Sequence, residues 1–273
     1  MSNKKNIILY VVFANVFFWI AFSLMGAILA ISGGEHSWFQ DGVLFHLMVA
    51  FAAWTPTFAL WVLFKRLYPE CSIKEFYKEA FRTHIHLKLL LVISMIQLLI
   101  FFGSVGITAI TTQVSFDNLL TISLPTLGMG FIWTSIQGPT GEQSGWRGFL
   151  QPQMEQNFGV FKSSILVGII WGVWHAPLWF VSGYAGFDLL KFILLYMLAI
   201  VSVAVIIGIC YKCCRNLFVP IWIHFMFNFT LTMYTGDILH IMPGLTVLYM
   251  VVTVGYVIWY KHITTLQSSN EFI

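Results

Sequence analysis

The chain predicts an all-α fold: a polytopic integral membrane bundle of about eight transmembrane helices. Three observations carry that prediction. Hydrophobic residues fill 59% of the 273 positions and charged residues 9%, against roughly 25% charged in a soluble domain. The apolar residues fall in runs of about 20, the length a helix needs to cross a hydrocarbon core about 30 Å thick. Nearly all lysines and arginines fall on one side when those runs are threaded across a bilayer.

The runs, in order, are residues 7–31, 45–64, 88–110, 119–138, 163–182, 187–210, 217–234 and 241–260. The first follows Met1-Ser2-Asn3-Lys4-Lys5 and is longer than a signal-peptide core of roughly 7–15 residues, so it reads as a retained helix. Pro125 and Pro177 interrupt the fourth and fifth runs, and Pro139 closes the fourth. Pro220 falls in the first turn of the seventh, where a missing N–H costs little. Residues 70–87 mix Lys74, Glu75 and Lys78 with Ile73, Phe76 and Phe81 and predict an interfacial amphipathic helix. Residues 142–157 predict a second cytoplasmic amphipathic helix, with Trp146, Leu150 and Met154 set against Arg147, Gln151 and Glu155, and Pro152 kinking or ending it.

With the N-terminus in the cytoplasm, Lys4, Lys5, Lys65, Arg66, Lys74, Lys78, Arg82, Lys88, Arg147, Lys162, Lys212, Arg215 and Lys261 lie inside and Lys191 lies outside. Glu35, Asp41, Asp117, Asp188 and Asp237 mark the outer ends. Both termini are therefore expected in the cytoplasm, and residues 1–273 form a single integral membrane domain in a lipid bilayer. The net charge of +3 comes with no basic block interleaved with aromatics, which excludes nucleic acid as a partner. Cys71, Cys210, Cys213 and Cys214 include one C-x-x-C spacing, but no second pair completes a zinc site, and plain reduced thiols are expected. A small transporter would show paired broken helices and repeat symmetry, and the sequence has neither. His36, His46, His84, His86, His240 and His262 read as solvated or interfacial.

Three polar clusters interrupt the apolar runs: Gly141-Glu142-Gln143-Ser144-Gly145-Trp146-Arg147-Gly148, Trp171-Gly172-Val173-Trp174-His175, and His224-Phe225-Met226-Phe227-Asn228. Ionisable and amide groups are costly in hydrocarbon, so they face a cavity or one another. Gln143 and Arg147 are four apart and can hydrogen-bond on one helix face; Trp171 and His175 share a face, as do His224 and Asn228. Each cluster alone also has a plain structural reading: an interfacial turn with a snorkelling Arg147, a core His175 bonded to a carbonyl freed by Pro177, and an interhelical His224–Asn228 pair.

Together and in this order, the clusters resemble the CPBP (Abi) family. Its members are the type II CAAX prenyl endopeptidases and their bacterial relatives, including lysostaphin resistance protein A-like proteins. The family pattern is E-E-x-x-x-R, then F-x-x-x-H, then H-x-x-x-N or H-x-x-x-D. The counterparts here are Glu142-Gln143 with Arg147, Trp171 with His175, and His224 with Asn228, and the resemblance covers residues 125–235 as a catalytic core. It implies an intramembrane endopeptidase acting on a membrane-associated peptide or protein in a bacterial cytoplasmic membrane. In it, Glu142 and His175 activate water, His224 and Asn228 stabilise the oxyanion, and Gln143 and Arg147 position Glu142. The cavity is expected to open to the cytoplasm. A metal version would use Glu142, His175 and His224 as ligands for a divalent ion such as zinc. Trp171 in place of Phe keeps a large ring and should matter little. Gln143 in place of the second Glu removes a negative charge beside Arg147. That loss keeps a second reading open, a weakly active or inactive member serving as a bacteriocin immunity or membrane scaffold protein.

Overall fold

The computed structural model describes residues 2–31 and 42–270; His36, Glu35 and Asp41 lie outside the described residues. The described residues are helical throughout, apart from short connections and one isolated bridge between Leu120 and Tyr234. The helices are α1 (Ser2–Ile31), α2 (Val43–Ala53), α3 (Thr55–Leu67), α4 (Ile73–Ala80), α5 (Leu87–Thr112), α6 (Leu124–Ile136), α7 (Pro139–Gln143), α8 (Gln151–Trp174), α9 (Ala176–Trp179), α10 (Gly186–Cys214), α11 (Phe218–Leu231) and α12 (Ile238–Asn270). A 3-10 turn covers Phe116–Leu119, and a π-helical turn, Ser144–Leu150, joins α7 to α8.

Each of the eight expected runs holds a helix, but the number able to cross a membrane by length and composition is smaller. Five described helical stretches qualify, or six if the bent pair α2–α3 makes one span. Two physical reasons account for the difference. The fourth and fifth runs fall in one apolar stretch, Leu124–Trp174, that counts once although its helix breaks at Gly138 and again at Gly159, whose φ is 68°. The seventh, α11, has 14 residues and so rises only about 21 Å.

The centre of the bundle is α10, whose second half, Ala199–Tyr211, is almost wholly buried. It packs against α8, α11 and α12, while α5 closes on α11 and α12, and α1 on α3. Polar side chains hold the broken helices in place, because open backbone groups inside a membrane must find partners in the protein. Where α6 ends, Trp54 Nε1 donates to Ile136 O at 2.9 Å. Thr57 Oγ1 donates to Gly141 O at 2.6 Å, and Tyr10 Oη to Pro56 O at 3.1 Å.

Two amphipathic expectations change. Residues 142–157 are helical, but Glu142 through Gln151 are buried, so this stretch is an interior element and not a cytoplasmic surface helix. Pro152 lies at the junction of the π-helical turn and α8, and the helix breaks not there but at Gly159, whose φ of 68° is non-helical. The 70–87 helix shortens to the exposed α4, fixed by a capping box in which Ser72 and Glu75 exchange hydrogen bonds. Its amphipathic pattern ends with Phe81, and residues 82–86 leave the helix. The cysteines are free thiols, Cys210 buried and Cys213 exposed.

Candidate active site

The site is built where the chain breaks its helices. α6 stops at Ile136, Gly138 adopts a non-helical conformation as the cap, and Pro139 starts the single turn of α7 that carries Glu142 and Gln143. The π-helical turn that follows, with wider spacing than an α-helix, carries Arg147 into the interior. α8 brings Trp171 alongside and ends at His175, because Pro177 supplies no N–H to continue it. α11 presents His224 and Asn228 from across the bundle.

Trp171 is the hub. Its indole Nε1–H donates to Glu142 Oε2 at 2.5 Å, and its carbonyl takes a hydrogen bond from His175 Nδ1 at 2.8 Å. The Arg147 guanidinium lies over its ring at 4.5 Å, a cation–π contact. The His224 ring meets it edge-on, with centroids 4.9 Å apart. Trp171 thus gives Glu142 an N–H that a phenyl ring lacks.

The expected Gln143–Arg147 bond is not formed. Gln143 turns instead to His224 Nδ1 at 2.9 Å, while Asn228 Nδ2 meets His224 Nε2 at 3.0 Å. A neutral imidazole has one N–H and one lone pair, so one of these two amides must present its oxygen. Arg147 is fully buried, and its three guanidinium nitrogens have no hydrogen-bond partner. Glu142 is the carboxylate close enough to act on it electrostatically. Arg147 is thus neither snorkelling nor part of the basic surface counted above.

One residue was missed by the sequence reading. A Cβ added at Gly138 would lie 3.2 Å from Glu142 Oε1, 3.3 Å from Asn228 Nδ2 and 3.5 Å from His224 Cε1. Gly138 is the gap around which the catalytic candidates converge, and its signal was the Gly-Pro pair that ends the fourth run. His46 is also not simply solvated. It is half-buried, stacks on Trp133 with centroids 4.4 Å apart, and takes Gln137 at 3.1 Å.

Glu142 and His175 line one cavity of about 520 Å³ with Gln137 and a mostly apolar wall that includes Phe18, Phe22 and Val49. The zinc ligand set fits this arrangement poorly. Both ring nitrogens of His224 are already engaged by amides, while His175 keeps its Nε2. Among the described residues no three His, Cys, Asp or Glu side chains are grouped to hold a metal ion.

A family match falls on this same stretch. Residues 124–230 match the family described as Rce1-like, type II CAAX prenyl endopeptidase Rce1-like. A curated relative, CAAX prenyl protease 2 of Methanococcus maripaludis, is 33% identical over 94 residues, which is 33% of this chain and 35% of that protein. The match spans about a third of that relative's length. With its long apolar helices, the protein is a multi-pass integral membrane protein, and its residues 124–230 are similar to the Rce1-like family of type II CAAX prenyl endopeptidases.

Proposed function

We propose that the protein is an intramembrane endopeptidase that hydrolyses a peptide bond of a membrane-associated peptide or protein in a bacterial cytoplasmic membrane. The observation that carries this reading is the convergence of the three clusters: Glu142 and His175 on one cavity, and His224 and Asn228 with Glu142 around Gly138. In this mechanism Glu142, oriented by Trp171, takes a proton from water as the water oxygen bonds to the substrate carbonyl carbon. His175 assists as a neutral base: its Nδ1–H is committed to the Trp171 carbonyl, so Nε2 carries the lone pair.

The carbonyl oxygen becomes an oxyanion. Asn228 has two amide hydrogens; one can serve His224 Nε2 and the other the oxyanion, a contact of the kind whose loss costs about 3–4 kcal/mol. That arrangement leaves His224 Nδ1–H to donate to Gln143 Oε1, which otherwise has no partner. The proton on Glu142 then passes to the leaving nitrogen as the C–N bond breaks. No step uses a metal.

The test is N-terminal peptide profiling of cells carrying the wild-type protein against cells carrying Glu142→Ala, at matched expression. New N-termini present with the wild type alone are the expected outcome. Identical profiles would sink the enzymatic reading. They would favour the alternative that Gln143 motivates, a family member that binds a peptide in this cavity as an immunity or scaffold protein.

A further inference from the structure

The distribution of charge and the shape of the cavity point in opposite directions along the bundle. Lysine and arginine gather at one end. Lys4 and Lys5 open α1, Lys65 and Arg66 close α3, Lys88 opens α5, and Lys212 with Arg215 closes α10. Arg66 Nε donates to Asn6 Oδ1 at 3.1 Å, Thr83 Oγ1 to Arg215 O at 3.1 Å, and Leu217 N to Ala80 O at 2.8 Å, which ties these segments together. The opposite end holds Asp117, Asp188 and Asp237, with Lys191 as the basic residue there, and the Leu120–Tyr234 bridge closes it.

The cavity leads away from the basic end. Its wall on α1 runs from Phe18 to Ala30, which is roughly 21 to 39 Å along the helix from Lys4 at 1.5 Å per residue. Its other wall continues from His175 through Leu178 to Val181, past the end of α8. Between Glu142 and the basic end the space is filled. Trp146, Arg147, Phe149 and Leu150 are each 0–1% exposed, and Tyr10 and Tyr68 pack edge-on against Phe149.

We infer that the catalytic cavity is reached from the extracytoplasmic side of the membrane, and that its substrate is an exported peptide or protein with an apolar segment seated in the outer half of the bilayer. The basic end is cytoplasmic because positively charged segments are retained there during insertion. Among the described residues the cavity is filled in toward that end and lined by Phe18, Phe22, Met25, Leu29 and Val181, a wall that suits an apolar chain entering from the other side. This reverses the cytoplasmic access expected from the sequence, which had placed Arg147 on the cytoplasmic surface. The substrate half of the inference rests on the endopeptidase reading; the access half does not.

The experiment is cysteine labelling with a charged, membrane-impermeant maleimide on intact cells or spheroplasts. Val181→Cys and Leu178→Cys, both at exposed positions, are made in a chain whose Cys71, Cys213 and Cys214 are Ser, with Leu29→Cys as an independent third probe. The parent's exposed Cys213 reports the basic end. Expected is labelling of the three cavity positions from outside, and of Cys213 only after permeabilisation. Labelling of Cys213 in intact cells, with the cavity positions protected, overturns the orientation. Labelling of Val181→Cys with Leu178→Cys and Leu29→Cys protected overturns the access route. The new N-termini found with wild type and lost in Glu142→Ala should map to extracytoplasmic segments; cytoplasmic ones overturn the substrate assignment. Should that comparison show no cleavage, the labelling still decides access, and the endopeptidase reading alone fails.

Discussion

At the scale of single residues, the site depends on who holds Glu142. In the motif that the chain resembles, a second carboxylate sits where Gln143 stands. Here the hydrogen bond to Glu142 comes from the Trp171 indole, and Gln143 serves His224. Trp171→Phe removes that donor while keeping most of the ring. A hydrogen bond to a charged group is worth about 1.5–3 kcal/mol, so kcat should fall roughly ten- to a hundredfold with little change in KM, read with a peptide substrate identified by profiling. Gln143→Glu should act in the other direction on Arg147, whose buried guanidinium has no hydrogen-bond partner. A carboxylate at 143 gives it an opposite charge nearby, so the thermal midpoint should rise; an unchanged or lower midpoint would show that Arg147 is already satisfied by Glu142 and Trp171. Gly138→Ala presses a methyl group on Glu142, Asn228 and His224 at 3.2–3.5 Å. It should lower activity at least tenfold while the melting temperature stays within a few degrees.

At the scale of elements, the broken stretch α6–α7–π-turn–α8 is the device that delivers polar groups to the interior. Its close approach to α1 and α3 needs Gly145: an added Cβ there would overlap Tyr10 Oη and lie 2.7 Å from Pro56 O. Overfilling a packed core costs about 1–3 kcal/mol and more when backbone must move, so Gly145→Ala should destabilise the bundle measurably in detergent, and Tyr10→Phe should partly relieve it. At the other end, the Tyr184 hydroxyl donates to Asp237, which tethers the turn before α10 to the start of α12. That hydrogen bond, the largest influence, holds the Asp237 carboxyl below its ordinary value, and burial pushes the Tyr184 hydroxyl up to about 12. For a carboxyl depressed by folding, the stabilisation is present above its unfolded pKa near 4 and is lost as pH falls through the lower folded value. Acidification below about pH 4 should therefore loosen this tether, seen as faster amide exchange at Leu239, and Tyr184→Phe should weaken that pH dependence, leaving the part carried by the Leu239 N–H bond to Asp237. The group is largely exposed, so the effect is small.

At the scale of the whole molecule, α10 is the axis and the site lies to one side of it, between α1, α2, α8 and α11. Because the catalytic candidates come from α7, α8 and α11, no single helix carries the chemistry, and loosening any helix contact around α10 should reduce activity before the protein unfolds. Gly208 tests this. A Cβ there would strike Ser164 Oγ and lie 2.5 Å from Gln151 Nε2, on the face where α10 meets α8. Gly208→Ala should lower both activity and thermal midpoint together, whereas Gly138→Ala separates them.

The all-α membrane class, the places of the helices and the seven motif residues were legible in the sequence. Hydropathy and i, i+4 spacing are local properties, and the price of burying charge in hydrocarbon marks the residues that must face one another. Tertiary structure decided what local patterns do not contain. Residues 142–157 look amphipathic, yet α3 packs on the π-helical turn and Trp171 of α8 covers Arg147, so Arg147 is interior. Pro152 looks like the break between the fourth and fifth runs, yet the chain stays helical through it and breaks instead at Gly138 and Gly159. Gln143 was expected to bond Arg147 on its own helix, but the π-helical turn changes the phase between them, and His224 from α11 takes the amide instead. Gly138 has no side chain to mark it, and its role exists only because three elements meet at the space it leaves.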